Sequence, residues 1–239
     1  MIDVTIIPVL KDNYAYLIKS ADGKTAIIDP GEAAPVITEL ETQNLSLDYI
    51  LNTHHHGDHI AGNAALIERY SAKLVGPEKE ETRITGMDIM LNEGDEFSLG
   101  EENIKIIETP GHTTGHICFY FPQSQTVFTG DTLFLMSTGR LFEGSADTMW
   151  HSLEKLMVLP NNTKIYCGHE YTLSNGMFCL KIEPNNQDLQ KRMEDVHSLR
   201  AQNKTTMPST VGLEKKTNVF IRAGSAEKFA EIRTLKDES

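Results

Sequence analysis

The chain has 239 residues, of which 39% are hydrophobic and 23% are charged, and its formal net charge is -12. This composition is typical of a folded globular protein and excludes a disordered or low-complexity chain. The acidic balance disfavours a nucleic acid or an anionic membrane as a partner, because both require an electropositive surface. Three cysteines without C-x-x-C spacing argue against a disulfide framework and predict reduced thiols in a cytoplasmic protein.

The N-terminal segment is expected to be neither a signal peptide nor a membrane span, because Pro8 and Lys11 interrupt its apolar run. From there, short β-like runs alternate with turns and short helical patterns. Strands are predicted at VTIIPVL, YAYLIKS, KTAIIDPG, LDYILNTHHH, AKLVG, GDEFSLG, NIKIIETPGH, HICFYFP, QTVFTGD and TKIYCG, and helices at APVITELETQ and GNAALIERY. This order predicts an α/β fold with two sheets and helices packed outside them.

After residue 145 the sequence pattern changes from mainly strands to mainly helices. Apolar residues at i, i+3, i+4, i+7, i+10 and i+11 predict a helix that ends before Pro160; they are Ala146, Met149, Trp150, Leu153, Leu156 and Met157. Beyond the strand TKIYCG the pattern is mainly helical, with LQKRMEDVHSLRAQ and AEKFAEIRTLKDE as the clearest segments. We therefore predict a main domain at residues 1–170 and a small helical domain at residues 171–239.

The segment NTHHHGDHIAG places four histidines and an aspartate within six residues, directly after a predicted strand. Alternate side chains of an extended or turning segment face the same side, so His54 and His56 can reach one ion while Asp58 and His59 reach a neighbouring ion. His55 then points away. Imidazole with carboxylate suits zinc, iron or manganese better than calcium or magnesium.

Taken alone, an HxH pair favours a histidine-rich surface loop over a metal site. Three further segments favour a metal site: His112 in TPGHTTGH, Asp131 in FTGDT and His169 in CGHEYT. Each lies at a predicted strand end, where a rigid scaffold presents ligands. Cys167 is interpreted as a small buried residue rather than as a soft-metal ligand.

These motifs resemble the metallo-β-lactamase superfamily, and the whole chain is similar to its glyoxalase II (hydroxyacylglutathione hydrolase) family. The narrower match rests on THHHGDHIAGN, TPGHTTGHICFYF, FTGDTLF, GRLFEGSADTMWHSL, CGHEYTLSN and the helical C-terminal part. The resemblance implies a four-layer αββα sandwich as the catalytic domain, with the metal site at one edge of the two sheets. It also implies a small helical C-terminal domain that binds substrate.

The resemblance implies two divalent metal ions, zinc first, with iron or manganese as alternatives. One ion would be held by His54, His56 and His112, and the other by Asp58, His59 and His169. Asp131 would bridge the two ions. The family treats His116 as a supporting residue rather than a ligand.

The implied reaction is hydrolysis of S-D-lactoylglutathione to D-lactate and glutathione, the second step of methylglyoxal detoxification. A hydroxide bridging the two metals would attack the thioester carbonyl, with Asp58 and Asp131 as the catalytic carboxylates. The motifs offer ligands but no obvious Ser-His-Asp or Cys-His nucleophile, which argues against a covalent acyl-enzyme.

Residues at family positions that bind the glutathione moiety are Arg140, Phe142, Tyr171, Arg233 and Lys236. Two of them depart from some relatives, because Arg140 replaces a lysine and Phe142 replaces a tyrosine. The chain also ends at Ser239, where relatives usually continue with an aromatic residue. Without the resemblance, Arg233 and Lys236 would be interpreted as a solvated helix face.

Three alternatives remain from the residues alone. A mononuclear-iron persulfide dioxygenase of the same superfamily needs one iron, and Asp58, His59 and His169 as second-site candidates argue against it. A phosphodiesterase or nuclease is disfavoured by the acidic balance. The third is a non-catalytic module with closed structural metal sites. The expected partner is a small glutathione thioester, with no nucleic acid and no membrane, and the expected state is a monomer.

Overall fold

The computed structural model describes residues 1–239, and the chain divides into two compact units. The first unit comprises Met1–Glu108 and Gly115–Thr126, and the second comprises Thr109–Thr114 and Val127–Ser239. This division follows the packing of the backbone rather than the order of the chain. The boundary predicted between residues 170 and 171 is a different division and stays a prediction.

The first unit contains a six-stranded sheet whose strands follow chain order. They are β1 (Asp3–Val9), β2 (Asn13–Lys19), β3 (Thr25–Ile28), β4 (Tyr49–Leu51), β5 (Lys73–Pro77) and β6 (Ile89–Leu91). The first three strands pair antiparallel, whereas β3 to β6 are parallel. Parallel neighbours need crossover connections, which here contain α1 (Ala33–Thr42), α2 (Gly57–Ile60), α3 (Asn63–Tyr70) and a 3-10 turn (Glu78–Glu80).

Helices α1 and α3 bury their apolar faces against this sheet. Val36 and Leu40 of α1 and Leu66 of α3 are fully buried in one cluster with Ile27 and Ile50 of the strands. Burial of each such side chain contributes about 1.5–3 kcal/mol. The packing fixes the ends of β3 and β4, and Asp29 donates its backbone N–H to the Leu51 carbonyl across those ends.

Three further strands complete the first unit. They are β7 (Glu96–Leu99), β8 (Glu102–Glu108) and β9 (Ile117–Phe121). They pair antiparallel in the order β9, β8, β7. All five residues of β9 are buried, as its continuous apolar run predicts.

The second unit combines short strands with five helices. Its strands are β10 (Thr126–Gly130, starting at the last residue of the first unit), β11 (Leu133–Phe134), β12 (Ser137–Thr138), β13 (Lys164–Cys167) and β14 (Ser209–Thr210). β13 lies between β10 and β14, and β11 pairs with β12 as a hairpin. The helices are α4 (Ala146–Met157), α5 (Thr172–Ile182), α6 (Gln187–Ala201), α7 (Val211–Thr217) and α8 (Ala226–Asp237), with a 3-10 turn at Ile221–Ala223.

A buried ion pair joins the C-terminal helices to the β11–β12 hairpin. Arg192 of α6 donates to the Glu214 carboxylate of α7 at 2.6 Å, and Glu214 is fully buried. The same carboxylate accepts from the Met136 backbone N–H at 2.8 Å, and Asn218 donates to the carbonyls of Phe134 and Ser137. The helices therefore hold the hairpin through hydrogen bonds as well as packing.

The predicted helices are confirmed, and α4 has the predicted bounds and is capped by Ser145, whose side chain accepts from the Thr148 backbone N–H. The short strands β6, β11, β12 and β14 were not predicted, and α5 and α7 were not predicted as separate helices. The structure contains no helix that is both long and apolar enough to cross a bilayer.

Candidate metal centre

The histidine-rich segment follows β4 directly and turns into α2. His54 and His59 are buried, and His56 and Asp58 are partly exposed. His54 Nε2 lies 3.1 Å from His56 Nδ1, and His59 Nε2 lies 3.6 Å from Asp58 Oδ2. The segment therefore contains two close pairs of donor atoms, His54 with His56 and Asp58 with His59.

The neighbouring strand end orients the two buried histidines. Asp29, directly after β3, accepts from the Thr53 backbone N–H at 2.8 Å and from the Thr53 hydroxyl at 2.7 Å. Its Oδ2 lies 3.1 Å from His59 Nδ1, and Thr53 Oγ1 lies 3.0 Å from His54 Nδ1. These contacts engage the Nδ1 atoms and leave each Nε2 as the atom directed to a ligand.

Two further residues support this segment. Asn13 donates to the Asp58 side chain at 2.9 Å and to the Asp58 carbonyl at 3.3 Å. On the opposite flank, His55 Nδ1 lies 2.8 Å from the buried Glu80 carboxylate, which also accepts from the Gly115 backbone N–H at 3.1 Å. His55 thus contacts Glu80 instead of joining the donor pairs.

A second set of donors lies in the second unit, on the loop after β8, on the loop after β10 and on the loop after β13. His112, Asp131 and His169 are all buried. Asp131 Oδ2 lies 3.5 Å from His112 Nε2 and 3.3 Å from His169 Nε2. One carboxylate oxygen therefore faces both imidazoles.

The segment after β12 positions this second set. His112 Nδ1 lies 2.9 Å from the Arg140 carbonyl oxygen, so the imidazole donates there and Nε2 is directed toward Asp131. Gly139 is required beside it, because a Cβ at this position would overlap the Asp131 carbonyl oxygen. Gly139 also donates its N–H to the Thr132 carbonyl at 3.1 Å.

The donor spacings in both sets fit a divalent transition metal. Two ligands at about 2.0–2.1 Å from a tetrahedral zinc ion lie roughly 3.3 Å apart. The four spacings above run from 3.1 to 3.6 Å. Imidazole and carboxylate donors without thiolate suit zinc, iron or manganese. Cys167 is buried in β13 with its Sγ toward the His169 carbonyl, and burial raises the pKa of its thiol, as expected for a structural cysteine.

Aromatic rings surround the second set. Tyr171 stacks on His169 with ring centroids 4.7 Å apart, and Phe134 contacts both rings edge-on. Phe142 lies 5.1 Å from the His112 ring and is 61% exposed. Two of the predicted substrate residues, Tyr171 and Phe142, therefore contact metal-ligand candidates directly.

The three predicted basic residues differ in exposure. The Arg140 side chain is 66% exposed, and its Nε lies 3.7 Å from Asp237 Oδ1. Arg233 is only 5% exposed, and burial lowers the pKa of its guanidinium while Asp237 opposes that shift. Lys236 is half-buried with its Nζ 5.0 Å from the Phe178 ring centre, and burial followed by the charge of Arg233 lowers its pKa.

Five supporting groups were not found by sequence reasoning. They are the Asp29 carboxylate, the Thr53 hydroxyl, the Asn13 amide, the Glu80 carboxylate and the Arg140 carbonyl. In the sequence, Asp29 directly follows the apolar run TAII. Its place at the end of a predicted strand was therefore the one signal available for it. His116, four residues after His112, stacks on His54 with ring centroids 4.9 Å apart.

Comparison with known proteins identifies the class. Residues 10–169 match the family model of the metallo-beta-lactamase superfamily, and residues 170–239 match the hydroxyacylglutathione hydrolase C-terminus. The chain belongs to the metallo-β-lactamase superfamily, which confirms the predicted fold class. Within it, the chain belongs to the hydroxyacylglutathione hydrolase family, because it is 46% identical to the Pelagibacter ubique hydroxyacylglutathione hydrolase over 98% of this chain and 99% of that protein.

Solved structures agree with this placement. ETHE1 from Myxococcus xanthus aligns with a TM-score of 0.75 and 26% identity over 98% of this chain and 90% of its own. The protein TTHA1623, solved in a di-iron-bound form, aligns with a TM-score of 0.66 and 25% identity over 91% of this chain and 99% of its own. Both alignments extend over most of this chain.

Proposed function

We propose that this chain hydrolyses S-D-lactoylglutathione to D-lactate and glutathione with a pair of divalent metal ions. The observation that carries the proposal is the Asp131 carboxylate oxygen, which faces His112 and His169 at distances suited to shared ligands. Membership of the hydroxyacylglutathione hydrolase family supports the thioester substrate. No serine or cysteine nucleophile is needed, because the attacking group is water.

The proposed ligand sets follow the family pattern. One ion would be held by His54, His56 and His112 and the other by Asp58, His59 and His169, with Asp131 as a ligand common to both. Zinc is the expected metal, since four-coordinate nitrogen and oxygen sites favour it, with iron or manganese as alternatives. The di-iron form of the related TTHA1623 is consistent with a dinuclear site.

The chain's own groups prepare the reaction. Bound divalent ions supply Lewis acidity, which lowers the pKa of water toward neutrality and polarises a carbonyl oxygen. Asp29, Thr53 and the Arg140 carbonyl hold the imidazoles in the tautomers that direct Nε2 inward. The leaving thiol has an ordinary pKa of about 8.5, so the site requires no strong general acid.

The glutathione moiety is proposed to bind beside His112 and His169. Tyr171 offers a hydroxyl and Phe142 an apolar face, and Arg140 and Lys236 offer cations for the carboxylates of the tripeptide. Arg233, which is buried in the same cluster, is proposed to belong to this binding site as well. The helical region 171–239 is proposed as the substrate-binding domain.

Three further expectations belong to this proposal. The protein is expected to be a monomer in the cytoplasm. Its ligand is expected to be a small thioester rather than a nucleic acid or a membrane, since its net charge is -12.

The test combines metal quantification with a thioester hydrolysis assay on the same sample. We expect about two metal ions per chain, hydrolysis of S-D-lactoylglutathione, and loss of both in Asp131→Ala. Asp147→Ala, which removes an exposed carboxylate at the start of α4, is the matched control and should keep both. A single iron per chain with oxygen consumption on glutathione persulfide would contradict the proposal. Two bound metal ions without an exchangeable water ligand would contradict it as well, because they would be closed structural sites.

A further inference from the structure

Glu80 is a buried carboxylate beside the histidine-rich segment, and the proposed function does not yet use it. It ends the 3-10 turn Glu78–Glu80 after β5, and its side chain is fully buried. Its backbone carbonyl accepts from the Arg83 and Ile84 N–H groups, both at 2.8 Å, and Ile84 belongs to the apolar core. The turn that carries this carboxylate is therefore held by the core of the first unit.

The two oxygens of the Glu80 carboxylate face two different segments of the chain. Oε2 lies 2.8 Å from His55 Nδ1, within the histidine-rich segment after β4. Oε1 accepts from the Gly115 backbone N–H at 3.1 Å, on the loop before β9. One carboxylate therefore joins these two segments.

The same two segments enclose a proposed metal ligand. His54 directly precedes the residue that Glu80 contacts in the first segment, and His116 directly follows the one in the second. The two imidazole rings stack with their centroids 4.9 Å apart and their planes 26° apart. The Ile117 N–H also donates to the Thr53 carbonyl at 3.0 Å. The position of the His54 ring therefore depends on both segments.

Packing and charge both favour this place for Glu80. A Cβ on Gly115 would lie 2.7 Å from Glu80 Cγ and 2.8 Å from its Oε1, so only glycine lets the carboxylate approach this backbone. A buried carboxylate also needs a compensating charge. Arg83 supplies it, with its NH2 2.5 Å from Glu80 Oε2.

We propose that Glu80 is a positioning residue for the metal ion assigned to His54 and His56. Glu80 holds His55 and Gly115, and these two residues fix the segments that set the His54 imidazole in place. The inference rests on the proposed function, since it assumes the ligand sets given there. It assigns to a residue that is not a ligand the control of one ion of the pair.

The other ion should depend much less on Glu80, because its proposed ligands have supports of their own. Asn13 donates to the Asp58 carboxylate at 2.9 Å, and Asp29 Oδ2 lies 3.1 Å from His59 Nδ1. Loss of the Glu80 carboxylate should therefore lower the affinity for one ion and spare the second.

Glu80→Gln tests the inference by release of zinc to a chromophoric chelator. Glutamine keeps the shape of the side chain, but its NH2 group replaces an acceptor oxygen and must face a donor. One of the two zinc ions should be lost at a chelator concentration about tenfold lower than in the wild type, as is typical when a group that orients a metal ligand is removed. The midpoint of the other ion should change by no more than about twofold, the scatter of independent sites.

A second variant assigns the ion that is affected. His56→Ala removes a ligand of the ion assigned to His54 and His56, and should keep one zinc ion per chain. Adding Glu80→Gln to His56→Ala should move the midpoint of this remaining ion by no more than about twofold. A shift of about tenfold in this background would show that Glu80 acts on the other ion and would overturn the inference.

Glu102→Gln is the matched control, because Glu102 is a second buried carboxylate of the first unit and accepts from the Ser124 hydroxyl at 3.1 Å. Both zinc midpoints should stay within about twofold of the wild-type values. Equal shifts in Glu80→Gln and Glu102→Gln would indicate general loosening of the fold and would overturn the inference. If Glu80→Gln does not fold, His55→Ala replaces it, since the His55 side chain is 18% exposed, and it should shift the same single ion.

Failure of this inference differs from failure of the proposed function. Unchanged zinc release in Glu80→Gln, or in His55→Ala where that variant replaces it, would overturn the inference alone, provided that the wild type binds two ions and hydrolyses the thioester. A wild type that binds no pair of metal ions would overturn the proposed function, and this inference with it.

Discussion

Replacing Asp29 by asparagine should weaken metal binding without altering a single metal ligand. The Asp29 carboxylate receives three donors: the Thr53 N–H, the Thr53 hydroxyl and His59 Nδ1. Asparagine has the same shape, but it replaces one acceptor oxygen by an NH2 group, which must then face at least one of these donors. The backbone is unaffected, because asparagine tolerates the φ of 48° at this position.

The size of the effect follows from these contacts. A buried donor left without an acceptor costs about 1–3 kcal/mol of stability. Loss of the carboxylate behind a metal-ligating histidine typically lowers metal affinity by about 10–100-fold. We therefore expect Asp29→Asn to lose zinc at a chelator concentration at least tenfold lower than the wild type does.

A matched control isolates the contribution of His59. Asp48 also accepts from a threonine, through Oδ2 from the Thr25 N–H at 2.9 Å and hydroxyl at 3.3 Å, but its Oδ1 accepts from Lys24 at 2.8 Å and no histidine faces it. Asp48→Asn should destabilise the fold and leave the chelator midpoint unchanged. The reasoning would be refuted if the midpoint of Asp29→Asn lay within threefold of the wild-type value, or if both variants lost zinc equally.

Three other changes probe separate parts of the molecule. Arg192→Met should lower the Tm by roughly 6–20 °C in calorimetry, because it leaves the buried Glu214 charge uncompensated at a cost of about 3–5 kcal/mol. A decrease in Tm of less than about 2 °C would contradict a stabilising role of this ion pair. The lowered pKa of Lys236 means that it loses its proton at a lower pH than an ordinary lysine, so KM should rise with pH below 10.5, and this rise should vanish in Lys236→Met. Gly139→Ala should reduce metal content and activity together, because its Cβ would overlap the Asp131 carbonyl; wild-type metal content in that variant would disprove the packing argument.

The sequence predicted the elements whose signals are local. Helix α4 was predicted because the apolar spacing and the following Pro160 lie within one short stretch. The strand-end motifs around His54, His112, Asp131 and His169 were likewise visible, since strand and turn patterns bracket each one. The short strands of the β11–β12 hairpin were missed, because two-residue strands have no periodicity to detect.

The supporting contacts could not be predicted for a physical reason. Asp29 and His59 are 30 residues apart, and the contact between His112 and the Arg140 carbonyl joins residues 28 apart. Such pairs depend on which strand ends become neighbours, and a backbone carbonyl has no residue type to recognise. The sequence also grouped Arg140, Arg233 and Lys236 together because all three are cations. It could not show that Arg233 is buried whereas Arg140 is exposed.

Residue 140 serves the molecule in two independent ways, through its backbone and through its side chain. The carbonyl that orients His112 would be supplied by any amino acid at this position, whereas the exposed guanidinium depends on arginine alone. Under the proposed function, substitution here would therefore change the affinity for the glutathione part of the thioester while the carbonyl contact to His112 is kept. Such a separation allows substrate range to evolve, or to be engineered, without a loss of catalytic chemistry.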